Sequence, residues 1–204
     1  MTTISSQSSL DSKIKSICDI IRRDAPGALQ YVPETSWLLF LRILDDKENL
    51  EEMEAKMVGA SFTPSLAYPY RWQDWGSPSG EKRKELQNGL SGDVFEFVNH
   101  DLIPHLKSFE GYSTATVRQK VVSQIVSNLS ETQLKTERNF LDVIDKVDEL
   151  RQDSIDPTHI FPISQAYEGL LLMLGDKNND GGQFFTPREV IRTIINVVKP
   201  EIGE

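Results

Sequence analysis

The chain has 204 residues and carries 22 Lys and Arg against 31 Asp and Glu, a formal net charge of -9. That length is enough for one large domain, or a domain and part of a second, with a real core. The acidic balance excludes a segment that grips DNA broadly by itself, because non-specific affinity comes from neutralising phosphates with Lys and Arg. Lys82-Arg83-Lys84 is too short a basic cluster to change this. No run approaches the roughly 18 apolar residues of a membrane span, and Met1 to Ser9 lacks the basic and apolar regions of a secretion signal. The expectation is a cytoplasmic protein that makes no membrane contact.

Residues 1–9 are polar and serine-rich and read as a disordered tail. The first helix is expected from Asp11 or Ser12, with Ile14, Ile17, Cys18 and Ile21 on one face, ending before Pro26-Gly27. Cys18 is the single cysteine, which excludes an internal disulfide, and its apolar neighbours point to a buried, inert thiol. His100, His105 and His159 form no spaced ligand pair, so no transition-metal site is expected.

The strongest helical pattern runs from about Pro33 to about Val58, with Trp37, Phe40, Leu41 and Leu44 sharing a face. Its second half, from Asp45 through Glu54, is highly charged; a solvated face is the default for such a run, and an acidic surface for a partner protein the alternative. Residues 61–80 change character, because Pro64, Pro69, Gly76, Pro78 and Gly80 break helical continuity. Tyr68, Tyr70, Trp72 and Trp75 argue that this loop is ordered, since so many aromatics are costly to leave in water. Interleaved with Arg71 they suit unpaired bases, but rings that pin the loop to a helical core are the favoured reading.

Helices resume with a cap at Ser91 or Asp93, running through Val94, Phe97, Val98 and Leu102 and interrupted at Pro104. Thr114 or Thr116 opens another through Val117, Val121, Ile125 and Leu129, and a third carries Phe140, Leu141, Ile144, Val147 and Leu150. All are one-sided, as in a packed bundle. Asp156-Pro157-Thr158 marks a new start, with Ile163, Ala166, Tyr167, Leu170, Leu171 and Leu174 lining a helix that stops at Gly175.

Asp176 to Gly181 imitates the first half of a calcium loop, but the twelfth position, where a bidentate Glu is needed, is Pro187. The segment reads as a polar turn. After it, Gly181-Gly182 allow close backbone approach, Thr186 is placed as an N-cap, and Pro187 takes the first helical position. Val190, Ile191, Ile194, Ile195 and Val198 then recur at helical spacing, so one face is expected to pack inward. The free N–H groups of that helix start, with Phe184 and Phe185 beside them, suit a small, charged, flat ligand. Taken alone, a Gly-Gly turn before a capped helix is ordinary structural punctuation.

Gln183-Phe184-Phe185-Thr186-Pro187-Arg188 resembles the segment that opens the catalytic domain in the modification subunits of type I restriction-modification systems, which are DNA adenine-N6 methyltransferases. Three further stretches resemble the same family in the same order: Trp37 to Asp46 its early long helix, Tyr68 to Trp75 a Tyr-Arg-Trp-x-Asp-Trp signature, and Ala166 to Leu171 its Tyr-Glu-x-Leu-Leu motif. The resemblance implies that Gln183, Phe184, Phe185, Thr186, Pro187 and Arg188 lie against S-adenosylmethionine, with no catalytic residue and no metal ligand in this stretch. It also implies a DNA-specificity subunit, a restriction subunit and DNA as partners in a phage-defence assembly.

The fold class that follows is mainly α: a helical bundle domain at 10–155 containing the ordered loop at 61–80, then the leading helices of a truncated Rossmann-like methyltransferase domain at 156–204. An amino-methylating enzyme needs an Asn/Asp-Pro-Pro-aromatic loop and a first strand ending in an acidic or Gly-rich loop. Neither occurs in these residues, and Lys199 to Glu204 resembles the lead-in to the first catalytic strand, so this chain alone is expected to be inactive. The alternatives are a non-catalytic helical interaction module with acidic docking faces, or a fragment of another phage-defence methyltransferase.

Overall fold

The computed structural model describes residues 3–24, 28–89, 93–150 and 188–200, and among these every regular element is helical. Helix α1 is Thr3–Asp24 and α2 is Ala28–Met57. A loop then leads to the short α3, Trp72–Trp75, and to α4, Glu81–Asn88. Helix α5, Asp93–Glu96, continues through a π-helical turn, Phe97–Leu102, into α6, Ile103–Ser108. Helices α7, Val117–Val126, and α8, Glu137–Asp148, complete the bundle, and α9 is Arg188–Val198.

The core forms where the apolar stripes meet. Ile14, Ile17, Cys18 and Ile21 of α1 are fully buried and pack with α8, whose Phe140, Val143, Ile144 and Val147 are also fully buried. Trp37, Leu38 and Leu41 of α2 close this three-helix layer. A second layer is α6 on α7, whose Ile103, Leu106, Val122 and Val126 are buried. Both helix starts in this region are capped by side chains. Thr116 accepts from the Gln119 N–H while the Gln119 side chain accepts from the Thr116 N–H, a reciprocal capping box. Thr136 caps α8 through the Asn139 N–H, and the Asp24 carboxylate reaches over from the end of α1 to accept from the N–H groups of Lys135 and Thr136.

The aromatic loop is held to the core by its rings, as its composition suggested. Trp75 lies on Trp37 with ring centroids 6.2 Å apart and planes 16° from parallel, and meets Trp72 edge-on at 5.2 Å. Tyr70 stacks on His105 at 3.8 Å. Trp72 and Trp75 are 1% exposed, whereas Tyr68 is 57% exposed, so among these rings Tyr68 stands out as open to solvent. Glycine is required at two points of close approach: a Cβ on Gly76 would lie 2.6 Å from the Trp72 ring, and one on Gly80 would lie 2.2 Å from the Asp74 carbonyl oxygen.

Four boundaries differ from the sequence reading. Helix α1 begins at Thr3, so the stretch expected as a disordered tail at 1–9 is helical from that residue; once the packed turns around Ile14 exist, extension adds one bond per residue. Helix α2 begins at Ala28 with Pro33 inside it, close enough to the start that a single early backbone bond is lost. Helix α4 had no apolar periodicity to announce it. Pro104 does not interrupt its helix: the π turn before it, in which the Ile103 N–H donates to the Val98 carbonyl, gives the ring room.

Replacing Trp75 with Ala removes the ring that joins loop to bundle and is expected to cost about 3–5 kcal/mol in urea denaturation. Tyr68→Ala should cost less than about 1 kcal/mol. Equal losses would show that the loop is not held by its buried rings.

Candidate functional site

Of the residues with the strongest claim to chemistry, Gln183, Phe184, Phe185, Thr186 and Pro187 lie outside the described residues, as do the polar turn at 176–181 and the helix expected at 163–174. Arg188 is the first residue of α9, one position after the proline expected to open the helix. Helix α9 ends at Val198, and Lys199 after it takes φ 47°, with its N–H donating to the Ile195 carbonyl at 2.8 Å. Val190, Ile191, Ile194, Ile195 and Val198 on the apolar face of the helix are 40–65% exposed; the segment before it, 151–187, lies outside the described residues.

The polar site that the described residues build lies between α2 and the aromatic loop. It starts from the acidic run on α2, which is not simply a solvated face: Asp45 and Glu48 are buried, 5% and 2% exposed, while Lys47 and Glu54 point to water. Asp45 accepts from Arg71 Nε at 3.2 Å, and the same guanidinium donates to Asn49 Oδ1 at 2.8 Å and approaches Glu52 at 3.7 Å. Glu48 accepts from the Ser65 N–H at 3.1 Å and from the Ser65 hydroxyl. Arg118 of α7 binds Glu51 through two bonds of 2.6 and 2.7 Å, a fork geometry suited to a carboxylate, and reaches Glu48 at 3.4 Å. Asp148, the last residue of α8, accepts from Trp72 Nε1 at 2.8 Å and from the Ser77 hydroxyl at 3.4 Å.

Of these groups Asp45, Asn49, Trp72, Ser77 and Asp148, together with Arg42, Asp46 and Gln73, line an open cleft of about 260 Å³. Its carboxylates are engaged by neighbouring cations and donors, so the cleft is a bonded joint. Among the described residues no three His, Cys, Asp or Glu side chains are grouped to hold a metal ion. Cys18 is unreactive: burial pushes its thiol up to about 11.

Sequence reasoning missed Arg83. It sits inside Lys82-Arg83-Lys84, yet it is 1% exposed, with Nη2 on Asp145 at 2.8 Å and Nη1 on the Gly76 carbonyl at 3.4 Å. Nothing local distinguishes it from its neighbours. Its partners are distant in sequence, and no spacing rule reaches them.

Comparison with known proteins agrees with this layout. Residues 10–147 match the family model of the HsdM N-terminal domain, and residues 159–204 match that of the N-6 DNA Methylase. The two matches follow one another along the chain, the helical N-terminal domain first and the segment similar to a DNA methylase second. The chain belongs to the modification-subunit family of type I restriction enzymes, and it corresponds to the N-terminal part of such a subunit. It is 35% identical over 199 residues to the type I restriction enzyme EcoEI methylase subunit of Escherichia coli, covering 96% of this chain and 37% of that subunit. It is 28% identical to the EcoKI methylase subunit of Escherichia coli strain K12, over 96% of this chain and 31% of that one. The crystal structure of a modification subunit of a putative type I restriction enzyme from Vibrio vulnificus YJ016 superposes with a TM-score of 0.71 at 28% identity, covering all of this chain and 42% of that one. The chain thus spans about a third of the length of the curated relatives it matches. No helix among the described residues is long and apolar enough to cross a membrane.

Burial raises the Asp45 carboxyl to about 6, and Arg71 offsets this only in part. Between about pH 4 and pH 6 the folded chain therefore holds a proton that the unfolded chain has released, so this group's contribution to stability falls as pH rises through that window. The stability of the protein relative to Asp45→Asn should drop by about 2–3 kcal/mol from pH 4 to pH 7, read by urea denaturation at each pH. A difference independent of pH would contradict the buried, ionising role of Asp45.

Proposed function

We propose that this chain is the N-terminal part of a subunit that, as a whole, transfers a methyl group from S-adenosylmethionine to N6 of adenine in DNA. The observation that carries the reading is the match of residues 159–204 to the N-6 DNA Methylase model, with Gln183-Phe184-Phe185-Thr186-Pro187-Arg188 inside it. In this reading those six residues form one edge of the cofactor pocket, with the start of α9 offering its N–H groups to a charged ligand and the two phenylalanines flanking a flat one. S-Adenosylmethionine supplies an electrophilic methyl on a sulfonium. The target adenine is turned out of the duplex so that its exocyclic nitrogen can reach that methyl.

The helical domain serves assembly and the enclosure of DNA. Its acidic charge supports a division of labour in which a specificity subunit supplies the basic surface and reads the sequence, and a restriction subunit completes the system. The work is done where the chromosome lies, in the cytoplasm. The 204 residues alone should not methylate DNA.

The test is tritiated methyl transfer to DNA by the full-length modification subunit that carries this chain, assayed with its specificity subunit. Phe185→Ala should lower kcat/KM at least about tenfold, a loss of about 1.4 kcal/mol, mainly through KM for S-adenosylmethionine. Transfer unchanged by the substitution would remove Gln183–Arg188 from the pocket. Absence of transfer by the unsubstituted complex would favour a helical docking module.

A further inference from the structure

Helix ends ordinarily fray, and junctions between domains ordinarily carry few contacts. The last turn of α8 does the opposite, at the place where the match to the helical-domain family ends and eleven residues (148–158) before the methylase match begins at 159. Asp145 accepts from the buried Arg83 of α4 at 2.8 Å. Asp148 accepts from Trp72 Nε1 at 2.8 Å and Ser77 Oγ at 3.4 Å, both from the aromatic loop and its short helix, and lies 3.6 Å from Arg42 Nε on α2. The Glu149 carbonyl accepts from Lys13 Nζ of α1 at 3.0 Å, and Leu150 is buried. Four separate elements hold one helical turn. Apolar packing fixes where such a turn sits, whereas an indole N–H and guanidinium groups bonded from different sides also fix its rotation.

We propose that the last turn of α8 is the anchor through which the helical bundle sets the position and direction in which the chain departs toward the methylase-matching segment. The Asp145 and Asp148 bonds are the positioning contacts, and Trp72 acts through Asp148. The proposal concerns geometry alone and does not depend on methyl transfer by the assembled subunit.

Spin labels on Lys120→Cys in α7 and Glu149→Cys directly after α8, both exposed, in a Cys18→Ala background of the 204-residue chain, report that geometry by pulsed electron resonance. The distance distribution should be single and narrow, and should broaden at least twofold in D145A/D148A. A control pair, D24A/T136A, removes caps from the opposite end of α8 and should leave the distribution unchanged even where it lowers the melting temperature as much. If D145A/D148A does not fold, Trp72→Phe, which removes the indole N–H and keeps a ring, should produce a smaller broadening. A distribution already broad before substitution, one unchanged by D145A/D148A, or equal broadening by both pairs would overturn the anchor.

Discussion

The stacking of Trp75 on Trp37 is the contact on which the helical domain depends. A stretch rich in proline and glycine has little backbone structure of its own, yet here it must cover one side of a helical core. It does so because two indoles, each 1% exposed, are drawn in by the large apolar area they remove from water. With the rings fixed, Arg71, Ser77 and Gly80 are carried into reach of α2, α8 and the loop's own backbone, and the glycines at 76 and 80 allow approaches that a Cβ would block.

Once the loop is seated, charge settles the rest. Burying Asp45 and Glu48 on α2 is unfavourable unless each is paired, and three partners supply this: Arg71 and Ser65 in the loop and Arg118 on α7. The Coulombic attraction of Arg71 does not fully offset desolvation at Asp45, whose carboxyl stays well above its ordinary range. Arg83 is the mirror case, a buried cation held by Asp145 on α8. Through these pairs the acidic composition of the chain becomes structural, fastening α2 to the loop and to α7, and α4 to α8.

Much of the helical architecture was legible because it is written in local spacing. Ile14, Ile17, Cys18 and Ile21, and Phe140, Ile144 and Val147, mark faces that the fold buries, and Thr116 with Gln119 announces its helix start. What stayed hidden depends on partners far along the chain. Asp45 and Glu48 looked like part of a solvated acidic run, and Arg83 like part of a surface basic cluster, because burial of a charge is decided by the group it meets in space. Pro104 obeyed no simple stop rule, since a π turn absorbed it. The motif at Gln183 to Arg188 was legible through family resemblance and lies inside the segment that matches the N-6 DNA Methylase model; apart from the position of Arg188 at the head of α9, it lies outside the described residues.

Native-state hydrogen exchange of the backbone amides in the aromatic loop is the most direct test that this loop is an integral part of the domain. The amides of Tyr70, Gly76 and Gly80, bonded to Ala67, Trp72 and Ser77, should exchange only on global unfolding, with the same free energy as core amides of α8. Exchange of these three amides at a free energy several kcal/mol below the global value, about that of a surface loop, would contradict it.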